Sequence, residues 1–362
     1  MQSVDKQAFY TLVKAGLRND VQPLPVGYHW EQVVELASRQ GMVGIAFDGL
    51  VAVIDKFGGE SIPVEFKLKL YGLVRLHTSK TKRLWDICAD FAMKMQPLRC
   101  YVLKGIDYAK YWPKPLYREF GDMDIVVANE HNEIVFEDAN RKAESIGAQV
   151  EWGTYKHSHI HYDGVMVENH QFITNFEGTK HGMEMERELR KLMFQSAPSK
   201  LLHTDMLSPG VNFTAIFLLK HAQHHFVFEG VAIRHFIDWI YFIEKEGKNI
   251  DWKWFYETLD AMNLRNFTDM LCAFCERKLA WNFNDEHIIS NATDDVLDEV
   301  EEYMFTPKAN VQNRNPFYIV KRFYKRFQRA WKFRDLHYQS FLQAIWTSIA
   351  YAGIFDRKPK LD

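Results

Sequence analysis

Two aspartates at the start of an apolar run are the residues of this sequence best suited to bind a metal ion. Asp122 and Asp124 lie in the segment GDMDIVV (121–127), whose β-branched residues predict a buried strand. Residues two apart on a strand point to the same face, so the two carboxylates are expected to lie side by side. Their mutual repulsion favours a cation between them, and oxygen ligands at this spacing suit Mg²⁺ or Mn²⁺.

A second segment of chemical interest lies upstream of the aspartates. The stretch VLKG (102–105) predicts a short strand that runs into a turn, and a helix-compatible stretch follows at 106–111. Backbone N–H groups at the start of such a helix, together with the Lys104 ammonium, would hold a triphosphate.

These motifs resemble those of the nucleotidyltransferase superfamily related to DNA polymerase β. In that superfamily a glycine-containing strand-to-helix turn precedes an Asp-x-Asp strand, and a third carboxylate lies on a later strand. The segments LKG (103–105), Arg118 and GDMDIVV are most similar to the bacterial group called uncharacterised nucleotidyltransferases. The resemblance covers roughly residues 98–175. Lys104-Gly105 replaces the usual Gly-Ser pair, and an aromatic and proline-rich insertion at 111–117 lengthens the link to the aspartates.

The resemblance implies a third carboxylate at Glu168, in the predicted strand VMVENHQF (165–172). Glu168 interrupts an apolar face, where an unpaired acidic side chain is costly. By resemblance it is either the third metal ligand or the base that takes the proton of the acceptor hydroxyl. His170 would line the same face. In a mechanism with two metal ions, Asp122 and Asp124 would bind both ions, and Glu168 would bind the one that acts on the attacking oxygen.

The resemblance also implies a set of nucleotide-binding residues. Lys104 and Arg118 would hold the triphosphate, and Gly105 would let the backbone approach the phosphates. Gly121 and His170 complete this predicted set.

The implied activity is the transfer of a nucleoside monophosphate from a triphosphate to a hydroxyl acceptor, with Mg²⁺ or Mn²⁺ as the cofactor. The acceptor would be a small molecule, an RNA end or a protein side chain. Two alternatives stay open. One is a nucleotide-binding or regulatory interaction protein that keeps the fold without the reaction. The other is toxin-like or antitoxin-like regulation through the basic stretch 321–334.

The apolar pattern predicts an α+β fold with a small mixed sheet between two helical regions, and the resemblance implies a sheet of the nucleotidyltransferase type. The predicted division is 1–96 for the N-terminal helices, 97–210 for the catalytic core and 211–362 for the C-terminal helices. In the core, the pattern predicts an amphipathic helix over 128–145 that stops at Gly147. Three strands are predicted at 148–152, 157–162 and 165–172, the last two joined by an Asp163-Gly164 hairpin turn.

Histidines cluster in the predicted helix 212–228. His221 and His225 are four residues apart and would share a helix face, so zinc is conceivable, although the glutamate of an H-E-x-x-H site is absent. The ordinary interpretation is partly buried, hydrogen-bonded histidines. The functional alternative is that His221, His224 and Asp238 border the nucleotide or acceptor pocket.

Composition limits the remaining possibilities. Cys272 and Cys275 have the spacing of a redox or zinc pair, but a helix-like run without a second pair predicts buried thiols in a reducing cytoplasm. No signal peptide is expected, because the start of the sequence, MQSVDKQAFY, has neither a basic stretch nor an apolar core. No membrane span is expected, because no run of about 18 apolar residues occurs. The net charge of -2 gives no overall attraction to nucleic acid or membranes. The exception is the basic, aromatic stretch 321–334, which would suit RNA, an acidic partner or an anionic membrane surface, or would be a docked helix with a solvated face.

Overall fold

The computed structural model describes residues 3–17, 20–153, 156–174, 179–306, 330–332, 336–337 and 339–351. Apart from 330–332, the basic stretch 321–334 lies outside the described residues. The α-helices are α1 (Ser3–Gly16), α2 (Trp30–Gln40), α3 (Val43–Phe57), α4 (Val64–Lys94), α5 (Ile106–Ala109), α6 (Phe136–Ser145), α7 (Lys180–Gln195), α8 (Val211–His224), α9 (Ile233–Glu246), α10 (Trp252–Ala261), α11 (Arg265–Leu279), α12 (Asp294–Phe305) and α13 (Phe341–Tyr351).

One mixed sheet forms the centre of the described part of the chain. Its strands are β1 (Arg99–Val102), β2 (Asp122–Ala128), β3 (Gln149–Glu151), β4 (His157–Tyr162), β5 (Val165–His170), β6 (Ser199–Lys200) and β7 (Met206–Ser208). They follow one another across the sheet in the order β3-β4-β5-β2-β1-β7-β6. Strand β2 is antiparallel to β1 and parallel to β5. With helices on both sides of this sheet, the structure confirms the predicted α+β fold.

Strand β2 separates an apolar face of the sheet from a polar one. Met123, Ile125 and Val127 are fully buried in a cluster with residues of α4 and α6. Because side chains alternate along a strand, Asp122 and Asp124 stand on the opposite face, toward α8. The burial of the odd-numbered residues therefore fixes which face presents the carboxylates.

The predicted hairpin and its flanking strands are confirmed. Asp163 and Gly164 form the turn between β4 and β5 with φ values of 48° and 79°, the left-handed conformation that suits this pair. Helix α6 ends at Ser145, and Gly147 follows with φ of 91°, as predicted. Its start differs from the prediction, because the Asn129 side chain accepts from two following backbone N–H groups and holds the chain in a turn.

Both helical regions contribute to a continuous apolar core. Phe9 of α1, Trp239 of α9 and Phe274 of α11 belong to the same buried cluster. The predicted boundaries at 97 and 211 stay a prediction. Cys272 and Cys275 are free and buried within this core, as expected from their helical context. Among the described residues, we find no helix with both the length and the apolar character needed to cross a membrane.

The close packing of α1 against α3 leads to a stability prediction. A Cβ atom added at Gly49 of α3 would lie 1.8 Å from the carbonyl oxygen of Leu12, whereas one added at Gly72 of α4 would meet no atom within 4 Å. We expect Gly49→Ala to destabilise the fold by about 1–3 kcal/mol through overpacking. The matched Gly72→Ala should stabilise it by roughly 0.5–1 kcal/mol. Urea unfolding would measure both, and equal shifts would contradict the close contact.

Candidate active site

A cavity of about 350 Å³ lies over the polar face of the sheet. Asp122, Asp124 and Glu168 line it from the two central strands, and Lys104 lines it from the turn after β1. Helix α8 covers the cavity from the other side. A larger depression of about 870 Å³ runs along α4, and it contains none of the predicted site residues.

The register of the sheet sets the spacing of the three carboxylates. Asp124 is the direct partner of Glu168 across the parallel β2–β5 pair, and Asp122 lies two residues earlier on β2. The Asp124 side chain is 2% exposed, that of Glu168 17% and that of Asp122 33%. The acidic group therefore extends from Asp124 at the bottom of the cavity to Asp122 at its mouth.

His170 lies between two of these carboxylates. Its Nε2 atom is 3.1 Å from Asp124 Oδ1 and 3.5 Å from Glu168 Oε2. Its Nδ1 atom is 3.1 Å from the Phe172 carbonyl oxygen, which can only accept, so Nδ1 carries a proton. Burial lowers the pKa of His170, but the hydrogen bonds to Asp124 and Glu168 outweigh it and raise that pKa overall. The ring thus supplies positive charge to the acidic group.

Lys104 is the second cation in contact with the acidic group. Its Nζ atom lies 2.9 Å from Asp124 Oδ2 and 3.9 Å from Asp122 Oδ2. Burial lowers the pKa of Lys104, but the two aspartates raise it to a net value above normal. Burial also raises the pKa of Asp124, yet Lys104 and His170 hold it below its usual range. The pKa of Asp122 is raised, by burial first and then by the Asp124 charge.

The donor set at the base of the cavity fits a divalent cation. Asp124, Glu168 and His170 each offer a ligand atom, and these atoms lie within 4.8 Å of one another; His170 would coordinate only after losing the Nε2 proton. The Asp124 Oδ2 atom is buried, and the Lys104 ammonium lies 2.9 Å from it. An oxygen-rich set with one imidazole suits Mn²⁺ or Mg²⁺.

The two predicted glycines differ in what the fold requires of them. Gly105 adopts φ of 67° and ψ of -99° at the turn between β1 and α5, a conformation that strains other residues. A Cβ atom there would also lie 3.3 Å from Phe120 Cβ. At Gly121, an added Cβ would meet nothing within 4 Å. The turn that carries Lys104 therefore depends on Gly105.

Arg118 and Asp238 do not line the cavity. Arg118 binds Asp238 through two contacts, Nε to Oδ1 at 3.1 Å and Nη2 to Oδ2 at 2.7 Å, and both side chains are buried. Trp112 donates to the same carboxylate at 2.8 Å. The structure thus places Arg118 in a buried ion pair outside the cavity, and its role at the phosphates stays a prediction. The insertion 111–117 carries it to α9, where a buried carboxylate holds it.

Sequence analysis missed three basic side chains that line the cavity and that suit phosphate. Lys156 and His157 line it from the start of β4, and Lys220 lines it from α8. Lys220 precedes His221, so the helical pattern that singled out the histidines could have included it. His221, His224 and His225 line the same cavity, in agreement with the expectation for His221 and His224.

Residues 27–280 match a protein-family model described as "Uncharacterised nucleotidyltransferase". The chain belongs to this family. The match confirms the predicted resemblance, and its range includes β1 to β7 and the helices through α11 that surround the cavity. No match was found among curated proteins or among solved structures.

The buried Arg118–Asp238 pair gives a prediction about stability. We expect Asp238→Ala to destabilise the fold by about 3–5 kcal/mol, because it leaves the Arg118 charge buried and unpaired. Asp86→Ala is the matched control, since Asp86 pairs with Lys82 at the surface and its loss should cost less than about 1 kcal/mol. Chemical unfolding of both variants would measure the difference. Similar losses in the two variants would argue against a buried structural pair.

Proposed function

We propose that this chain is a metal-dependent nucleotidyltransferase that moves a nucleoside monophosphate from a triphosphate to a hydroxyl acceptor. The acceptor belongs to a small molecule, an RNA end or a protein. The observation that carries the proposal is the register that sets Asp124 beside Glu168, with Asp122 two residues away, in a cavity that lysines also line. Family membership supports the nucleotidyl-transfer chemistry in general terms.

Asp122, Asp124 and Glu168, with His170 beside them, are the residues that would hold Mg²⁺ or Mn²⁺. When bound, such ions neutralise the charge that develops at phosphorus and stabilise the attacking and leaving oxygens. The hydrogen bond from His170 lowers the pKa of Glu168, although burial opposes it. A carboxylate that holds its proton weakly suits a ligand better than a general base, so we assign Glu168 as a ligand.

Lysines from three different elements supply the charge that a triphosphate needs. Lys104 comes from the turn after β1, Lys156 from the start of β4 and Lys220 from α8. Lys104 now neutralises Asp122 and Asp124. In the proposed complex Lys104 would leave the carboxylates, and its ammonium would contact the phosphates.

The first test removes the two aspartates on β2. We expect Asp122→Asn combined with Asp124→Asn to reduce pyrophosphate release at least about 100-fold, since even the outer-shell partners of metal ligands are commonly worth 10–100-fold. The assay supplies each labelled nucleoside triphosphate with Mg²⁺ or Mn²⁺ and a panel of hydroxyl acceptors. Asp138→Asn, on the exposed surface of α6, is the matched control and should retain turnover.

Two outcomes of this test are decisive against the proposal. Full turnover in the double variant would remove the carboxylates from the mechanism. Mn²⁺-dependent triphosphate binding without pyrophosphate release, across the whole acceptor panel, would favour a nucleotide-binding protein that lacks the reaction.

A second test separates the two tasks assigned to Lys104. We expect Lys104→Gln to raise Mn²⁺ affinity, because a competing cation leaves the carboxylates, and to lower triphosphate affinity, because a phosphate partner is lost. Paramagnetic resonance of free Mn²⁺ and calorimetry with a non-hydrolysable triphosphate would measure the two effects. Lys114→Gln is the control, since Lys114 binds Asp48 at an exposed position away from the cavity. A fall in both the Mn²⁺ affinity and the triphosphate affinity would contradict the proposed movement of Lys104 from the carboxylates to the phosphates.

A further inference from the structure

Three histidines form a second cluster of potential metal ligands in the part of the chain that the structure describes. His221, His225 and His235 each offer a ring nitrogen, and these atoms lie within 4.8 Å of one another. The ring centroids of His221 and His225 are 4.4 Å apart, and those of His225 and His235 are 4.9 Å apart. The sequence indicated the first two, whereas the third comes from the next helix.

The backbone explains why the three rings converge. His221 lies in α8, and His225 begins a π-helical turn, His225–Glu229, that widens the end of this helix. Such turns are rare and occur frequently at functional sites. His235 lies in the first turn of α9, which packs against α8. The widened turn and the helix start thus bring rings from two elements to one place.

Hydrogen bonds on the far side of two rings orient them as in metal sites. His225 Nδ1 lies 3.0 Å from Glu229 Oε2, so this nitrogen donates and Nε2 is the atom left to coordinate a metal ion. His235 Nδ1 accepts from the Ala232 backbone N–H at 3.1 Å and also lies 3.1 Å from the Ala232 carbonyl oxygen, so Nε2 is free to coordinate only in the tautomer whose Nδ1 donates to that carbonyl. A carboxylate or a backbone carbonyl behind the ring is the usual second partner of a metal-binding histidine.

Charge and distance at the cluster are compatible with a bound cation. Burial lowers the pKa of both His221 and His235, so these rings are neutral and able to coordinate. Hydrogen bonds from His224 and His225 lower the pKa of Glu229, which supplies a fixed negative charge beside the cluster. Two nitrogens on one tetrahedral zinc ion lie about 3.3 Å apart, so small ring rotations would complete the site.

We propose that His221, His225 and His235 form a transition-metal site, separate from the carboxylate group, that binds Zn²⁺ or another ion preferring imidazole. Three histidine ligands leave one coordination position open. His221 and His225 line the cavity, so the open position faces it and would take water or an anionic oxygen. This site does not depend on the proposed transfer reaction, and metal binding can be measured without it.

The test is a titration with Co²⁺ of protein that carries no histidine tag. Excess Mg²⁺ is present so that it occupies the carboxylate ligands. We expect one equivalent to bind with the strong visible absorption of four-coordinate cobalt, and Zn²⁺ to displace it. His235→Ala and His225→Ala should each weaken this binding at least about tenfold. His131→Ala is the control, because His131 is an exposed histidine outside the cluster, and it should retain the spectrum. Asp122→Asn should also retain it.

Three outcomes would overturn the site. One is wild-type protein that binds no equivalent of cobalt with this spectrum. Another is a spectrum that survives both His225→Ala and His235→Ala. The third is a spectrum that Asp122→Asn abolishes, which would place the ion at the carboxylates. Circular dichroism checks the fold of each variant. If His235→Ala, at a buried position, does not fold, the test rests on His225→Ala alone.

Discussion

Repulsion among carboxylates on adjoining strands is the constraint on which the rest of this site depends. The parallel register places Asp124 directly beside Glu168, and Asp124 is almost fully buried. Burying such a group without compensation is unfavourable, so positive charge must accompany it. Lys104 and His170 provide that charge in the structure, through contacts of 2.9 and 3.1 Å with Asp124. In the structure, side-chain cations therefore balance the charge of the acidic group.

The surrounding fold holds this charge arrangement in place through packing on both sides of the sheet. Apolar residues of β2 are buried against α4 and α6, which prevents the strand from shifting by one residue. Such a shift would turn the aspartates into the apolar core. On the other side, α8 covers the cavity and belongs to a core that reaches from α1 to α11. Both helical regions thus contribute to positioning the central strands.

Local patterns allowed much of the site to be predicted, because they depend on neighbouring residues along the chain. Alternation on β2 predicted that Asp122 and Asp124 share a face, and the Asp163-Gly164 turn predicted how β5 begins. Partners distant in sequence could be predicted only through the family resemblance, as for Glu168 beside Asp124. The sequence gives no local sign that Arg118 pairs with Asp238, 120 residues away. A side-chain hydrogen bond at Asn129 likewise shortened the predicted helix 128–145, since it competes with the helical backbone.

The cavity offers two kinds of ligand to cations of different chemistry. The β2–β5 side presents carboxylate oxygens, which suit Mg²⁺ and Mn²⁺, whereas α8 and the turn after it present imidazoles, which suit Zn²⁺. Lys104 contributes to the electrostatics of both sides, because it pairs with Asp124 and its charge also lowers the pKa of His221, after burial. Movement of Lys104 from the carboxylates to a phosphate would change the field at the histidines as well. One side chain thus acts on both groups of ligands.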